Sequence, residues 1–327
     1  MAEVMRNAFT EAIRRDMYGV GFEARDALPA IHEDIFEVVG STGAYEQTTE
    51  ILGAGNLVEK PETGKITFEN AMEGFTVYGK NRTFGKGIEF SMETVEDIDP
   101  SKLANIVTDY AKRWGERYTQ KKEKFAADFF IYGGYTAGHD TFSAKITGVT
   151  PTDANTALCY DGLPFFNLSN NLRPLYPGGT AAYYNSLANT LTSTNLQTAY
   201  LRAVSTNNVD SRGEKIAMKP EIILVPSALT FTADVILKST NVLGTGNNDI
   251  NPMNNILRKV EWQYLTAAAS WFIGVPKKGL KFHNRKGLTY DFWQDRETGG
   301  YKASVIARWG AHMYDWRYWV GNNLSTS

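Results

Sequence analysis

A chain of 327 residues, with 34 basic against 36 acidic side chains and a formal charge of −2, is long enough to bury a sizeable core in one large or two medium domains. That balance excludes a general attraction to nucleic acid or anionic membranes, and no stretch approaches the roughly 18 apolar residues of a membrane span. The single cysteine, Cys159, excludes an intrachain disulfide and a multi-cysteine zinc site, and a buried thiol is the plain expectation for it. The N-terminal Met-Ala-Glu-Val-Met-Arg lacks a signal-peptide apolar core, so the chain is expected to be made in the cytoplasm.

Residues 2–17 predict a short amphipathic helix with Val4, Met5, Ala8, Phe9, Ala12 and Ile13 on one side. Gly19 and Gly21 are expected to end it, and a loosely patterned lead runs to about Ala44. Tyr45 to Asp99 reads as a long extended arm. Ile88, Phe90 and Met92 alternate with Glu89, Ser91 and Glu93, the period-two pattern of a half-buried strand. Ile66 and Phe68, then Phe75 and Val77, give shorter pieces of that pattern, separated by glycines. A hairpin limb of roughly 15 residues would reach about 50 Å. An isolated two-stranded ribbon is marginal in water, so the arm's apolar residues need another surface, expected to be another copy of the chain.

Asp99 can cap free amides and Pro100 suits a first helical position. From there to about Tyr132, Leu103, Ile106, Val107, Tyr110, Trp114 and Tyr118 recur at threes and fours, continuing toward Phe125 and Phe129. Lys112, Arg113, Arg117, Lys121, Lys122 and Lys124 crowd its second half. They read either as a solvated face that complements the helix dipole or as a basic inner or intersubunit surface. Gly133 to about Thr194 is loop-rich. A helix is expected over Leu196 to Ser205, and Glu221-Ile-Ile-Leu-Val-Pro-Ser reads as a central strand. A helix follows over Ser227 to Leu237, then a polar loop over Asn241 to Asn255. Strand pieces are expected at Lys259 to Leu265 and Ala269 to Val275. A final hairpin pairs Leu288 to Trp293 with Tyr301 to Trp309 around a tip at Asp295. Without βαβ regularity the class is α+β.

The search for chemistry is negative. His32, His139, His283 and His312 form no metal-ligand spacing, and each reads as a surface or locally hydrogen-bonded histidine. No dinucleotide fingerprint, P-loop or nucleophile elbow is present. Glu93, Glu96, Asp97 and Asp99 read as helix-start acids rather than paired catalytic carboxylates. Lys277, Lys278, Lys281, Arg285 and Lys286, around Phe282 and His283, give a weak nucleic-acid signal. Trp309, Tyr314, Trp316, Tyr318 and Trp319 demand burial, by default in the core. No catalytic residue, cofactor or metal is assigned.

The order of the parts resembles a tailed-bacteriophage major capsid protein of the Hong Kong 97-type fold, most closely the Mu-like major head subunit group. The likeness lies in the run Phe84-Gly-Lys-Gly-Ile-Glu-Phe-Ser-Met-Glu-Thr-Val-Glu-Asp-Ile-Asp before a long helix. It continues in Asp161-Gly-Leu-Pro-Phe-Phe-Asn and in Lys219-Pro-Glu-Ile-Ile-Leu-Val-Pro-Ser-Ala-Leu, with Asn251-Pro and a later Gly-Leu-Lys-Phe in the same order. The resemblance implies an N-terminal arm (1–44), an extended loop (45–99) and a peripheral domain with a spine helix (100–144). An axial domain (145–265) and a return to the peripheral domain with the C-terminal segment (266–327) complete it. It implies a non-enzymatic subunit that assembles as hexamers and pentamers into an icosahedral shell around double-stranded DNA. Lys60, Pro61, Glu62, Thr63, Gly64 and Lys65 would be intersubunit contacts at the loop tip. Asp295, Arg296, Glu297, Thr298 and Gly299 would be contacts at the hairpin tip.

Portal, scaffolding and decoration proteins are the implied partners, DNA is held without sequence preference, and no membrane is involved. The implied location is the virion, assembled in the host cytoplasm. Because the arm begins near Met1, scaffolding is expected to be a separate protein. Lys60 or Lys65 and Glu297 could serve the isopeptide cross-link of some members. No asparagine lies between Asp295 and Gly300, so a non-covalent shell is expected. Deleting Gly53 to Gly74 is expected to leave a foldable subunit that forms no shell. The rival readings are a soluble α+β enzyme with an unrecognised carboxylate site, or another phage structural part such as a tail-tube or decoration protein. The long helix argues against a tail tube.

Overall fold

A computed structural model describes residues 2–52, 57–60, 62–66, 68, 73–97, 100–134, 159–241 and 249–324. Its longest element, α4 (Pro100–Ile131), opens at the predicted proline and runs 32 residues, about 48 Å at 1.5 Å per residue. Leu103, Val107, Ala111, Trp114, Phe125 and Phe129 are buried along it, so the apolar periodicity is the core-facing stripe. Asp99, the expected cap, lies outside the described residues.

Helix α1 (Ala2–Asp26) runs through Gly19 and Gly21 rather than ending there. The reason is tertiary. A side chain added at Gly115 of α4 would strike the Gly21 carbonyl, and one added at Gly21 would strike the Tyr290 hydroxyl. Each helical glycine costs about 1 kcal/mol relative to alanine, and the close approach of two long helices offsets that cost. The lead to Ala44 is also more ordered than its pattern suggests. It contains the short helix α2 (His32–Ile35) and the strand β1 (Glu37–Gly40).

The arm divides. Strands β2 (Tyr45–Ile51) and β3 (Glu73–Lys80) pair antiparallel as the expected ribbon. Strand β4 (Arg82–Phe90) instead finds its surface within the same chain, in register from Arg82 opposite Trp309 to Phe90 opposite Tyr301. Met92 does not continue that strand; it begins the short helix α3 (Met92–Asp97). The alternation therefore stops two residues early, where the acidic run favours a helix start.

The predicted C-terminal hairpin is present and longer than expected. Taking β9 as Leu280–Gln294 and β10 as Tyr301–Met313, the main sheet has the order β1-β9-β10-β4. Strand β1 is parallel to β9 and the other pairs are antiparallel. Helix α1 packs on α4 and β9, and α4 also meets β9 and β10.

The second sheet is built from β5 (Ser186–Leu187), β6 (Ile222–Val225), β7 (Arg258–Glu261), β8 (Trp271–Gly274) and β11 (Trp319–Asn322). Its order is β5-β11-β8-β6-β7. Alternate residues point to opposite faces of a strand, and here both faces are apolar. Ile222, Leu224, Phe272 and Trp319 join the larger core; Ile223, Val225, Ile273 and Val320 join a second. The second core is closed by α5 (Ser193–Leu201) and α6 (Thr230–Lys238), through Leu196, Ala199, Ala233 and Ile236. The continuous apolar run at Ile222–Val225 is the signature of such a two-sided strand. Helix α5 starts three residues before the predicted Leu196, because Thr192 accepts the Asn195 N–H at its N-terminus. Trp309, Trp316 and Trp319 are almost wholly buried within the subunit, as the default reading has them. Residues 135–158, which hold the expected 144/145 domain boundary and His139, lie outside the described residues.

Candidate intersubunit surfaces

At its base the β2–β3 ribbon is fastened to the subunit at three points. Arg317, almost fully buried, bonds Glu50 of β2 at 3.0 Å and Asp315 at 3.2 Å. Phe75 of β3 packs on Tyr160 with ring centroids 5.0 Å apart. Thr48 Oγ1 lies 2.9 Å from His312 Nε2, whose Nδ1 is 2.7 Å from His283 Nε2. Gly79 passes directly over that histidine ring.

The two histidines are stacked in the core, and the register that joins them arises where β9 and β10 slip past each other between Ile306 and Trp309. Burial pushes His283 down to about 4 and His312 down to about 3, the latter also opposed by His283 and Lys281. Both groups are neutral in the fold, near Glu46 and Lys281. Because an unfolded histidine titrates near 6.5, the unfolded chain binds more protons between roughly pH 6.5 and pH 4. Stability therefore falls as pH drops through that window, by up to about 1.4 kcal/mol per pH unit for each histidine. Urea melts at pH 7 and pH 4.5 measure it; His283→Gln should flatten the slope, and an unchanged slope would disprove the assignment.

Between the two strands lie further apolar residues. Leu57, Val58, Ile66 and Phe68 are exposed, and Lys60, Glu62, Thr63 and Lys65 lie among them at the surface, with Gly64 half-buried. Pro61 lies outside the described residues. Exposed apolar side chains of this kind make the segment a candidate contact surface.

The hairpin tip has the opposite character. The Asp295 N–H donates to the Gly300 carbonyl at 2.8 Å, and the Gly299 N–H donates to the Asp295 carbonyl. The Asp295 carboxylate accepts the Glu297 N–H and binds Lys302. The hydrogen bond from Lys302 holds that carboxyl below its ordinary range. Gly299 adopts φ +70°, a left-handed conformation suited to glycine. Asp295 thus braces the turn, and Arg296, Glu297 and Thr298 are the exposed tip.

The basic residues of α4 do not form one surface. Lys112, Arg113, Arg117, Lys121 and Lys124 are exposed. Lys122 is buried, donates to Asn284 Oδ1 at 2.8 Å and lies over the Tyr118 ring at 4.7 Å. Burial lowers it to about 8. Beside Lys121, a groove of about 640 Å³ opens between α4 and β4. In the 277–286 cluster, Phe282 and His283 point into the core, so no aromatic face is offered for base stacking. Cys159 is buried, and burial raises its thiol well above the ordinary range. Among the described residues no group of three or more potential metal ligands converges, and no helix is long and apolar enough to cross a membrane.

Sequence reasoning missed the His283–His312 pair and the joint at Glu123. There Glu123 Oε1 accepts the His32 backbone N–H at 3.1 Å and lies 2.5 Å from His32 Nδ1, while Oε2 accepts Trp262 Nε1–H at 2.7 Å. All these residues are buried. A glutamate on the apolar side of a helix, at 123 between Lys122 and Lys124, is the one signal that could have flagged it.

A family model described as phage capsid protein matches residues 75–322. Among curated proteins, none matches the chain. A solved structure from Mycobacterium phage Patience superposes with a TM-score of 0.54 at 11% identity, covering 98% of this chain and 87% of that one. The mature capsid of bacteriophage PhiM1 gives 0.52 at 9% identity, covering 91% and 88%. At such identities the likeness is one of fold.

Proposed function

This chain belongs to the phage capsid protein family, and from that premise we propose that it tiles as hexamers and pentamers into a closed icosahedral shell around double-stranded DNA. It is a major capsid protein of a phage, a structural protein whose work is assembly. The match over residues 75–322 carries the reading, and the outward-facing apolar ribbon tip is what a subunit that must find neighbours requires.

In the finer reading the architecture is of the Hong Kong 97 type, with α4 as its spine helix, and the order of the sequence motifs favours the Mu-like group. The peripheral domain combines α4 with the β9–β10 hairpin, and the axial domain is the unit around the second sheet. Residues 57–68 contact a neighbouring subunit, and Arg296, Glu297 and Thr298 meet other capsomers. Contacts of this kind, repeated around each subunit, would exceed the roughly 1,600 Å² of an ordinary interface. The shell is held without covalent cross-links. Portal, scaffolding and decoration proteins complete it in the host cytoplasm, and DNA is contained without sequence readout.

Negative-stain electron microscopy of the chain, expressed alone and with a co-expressed scaffolding protein, tests this. Closed shells or isolated rings of five and six are expected. A uniform monomer or dimer under every condition would reject it.

A further inference from the structure

We propose that the groove between α4 and β4 is a docking site for the acidic α3 segment, Ser91 to Asp97, of a second copy of the chain. The inference rests on the reading that copies of this chain assemble, and it names one contact by which they do so.

The groove holds about 640 Å³, enough to take a few side chains rather than a flat contact. Its floor is apolar. Phe84 stacks on Trp309 with centroids 4.0 Å apart, and Leu288 and Val305 extend the same surface. Its rim is cationic: Lys86, Arg117, Lys121 and Lys124 line it, and none of its described lining residues is acidic. Lys121 sits 5.7 Å above the Phe84 ring, which holds one charge at the mouth. An occupant must therefore bring negative charge together with at least one bulky apolar side chain.

Of the exposed candidate segments, α3 fits that requirement. Residues 91–97 contain Glu93, Glu96 and Asp97 with no basic residue. Met92 is 49% exposed, and a flexible thioether fills irregular apolar gaps well. The ribbon tip is balanced, with Glu59 and Glu62 against Lys60 and Lys65. At the hairpin tip Asp295 is already bound by Lys302, and Arg296 faces solvent beside Glu297. Neither brings the surplus negative charge that four rim cations call for.

The occupant has to come from another copy. On its own chain α3 follows directly from the end of β4 and packs against Gly299 at the hairpin tip, whereas the groove lies at Phe84 to Lys86 near the strand's beginning. A groove on one copy that receives a different surface of the next is a heterologous contact, the kind that closes rings. A nucleic-acid occupant is disfavoured because Trp309, the largest ring of the floor, lies almost wholly beneath the surface, out of reach of a stacking base.

The test is a charge exchange, read as shell yield by sedimentation and electron microscopy, with circular dichroism to establish folding. Lys121→Glu with Lys124→Glu, and separately Glu93→Lys with Asp97→Lys, should each lower shell yield at least about tenfold, because like charges across an interface repel strongly. All four changes in one chain should restore most of the yield. Folded single-side variants that form normal shells, or a combined variant no better than either, would overturn the proposal. So would loss of bound polynucleotide as the sole effect of the groove changes. A native chain that never forms shells would instead count against the assembly reading itself. An independent check places Met92→Cys and Lys86→Cys in one chain, with the native thiol silent because Cys159 is buried. Oxidation should give a ladder of covalent multimers, and monomer alone would refute the contact.

Discussion

Excising residues 53–72 and closing β2 to β3 with a short glycine turn should leave a folded subunit that forms no shells. The cut ends before Glu73, which pairs with Ile51 across the ribbon. That is why it stops short of the Gly53 to Gly74 deletion suggested by sequence. The base keeps its fastenings, because Glu50 with Arg317, Phe75 with Tyr160 and Thr48 with His312 all lie outside the excised stretch. What is lost is Leu57, Val58, Ile66 and Phe68. Burying each against a neighbour is worth on the order of 1.5–3 kcal/mol, and a shell repeats that gain at every subunit. Circular dichroism and gel filtration should report a native-like monomer or small oligomer, and electron microscopy should find no closed particles. Intact shells from this variant would remove the ribbon tip from the assembly contacts.

Glu123→Ala should be strongly destabilising. The carboxylate accepts from α2 and from the segment after β7, and so joins three parts of the chain. Removing it strands the His32 backbone N–H, the His32 ring and the Trp262 indole in the interior. Breaking a buried pair by deleting one partner costs about 3–5 kcal/mol, which for a chain of this length lowers the melting temperature by roughly 4–7 °C. Glu123→Gln keeps an acceptor for one donor and should lose less. A calorimetric melt decides it, and an alanine variant within a degree or two of the native chain would show the joint to be dispensable.

The features legible in the sequence are those set by local periodicity. Pro100 and the apolar stripe through Phe129 fix α4, and the run Ile222–Val225 fixes a two-sided strand. The alternation flanking Asp295 fixes the hairpin. The features that were not legible depend on which surfaces meet. Gly21 reads as a stop until Gly115 is seen against it. His283 and His312, 29 residues apart, meet only because of an irregularity in strand register. Lys122 looks like its exposed neighbours, yet helical phase turns it toward Asn284. The alternation through Met92 extends the strand pattern past its true end, because an acidic helix start can share two residues of period-two spacing. The exposure of Leu57, Val58, Ile66 and Phe68 was legible for a reason of its own: a two-stranded ribbon offers such side chains little cover. The groove beside α4 was invisible because its lining comes from five separate stretches of sequence.

The second sheet, apolar on both faces, has a mechanical meaning. Strands β8 and β6 are a wall common to two cores, and neither core can be deformed without straining it. Strain in the core closed by α5 and α6 is therefore shared with the core containing α4 through the hydrogen-bonded strands between them. A container pushed outward from within needs building blocks that stretch little and recover fully. A wall shared by two packed cores gives each block that stiffness with few strands.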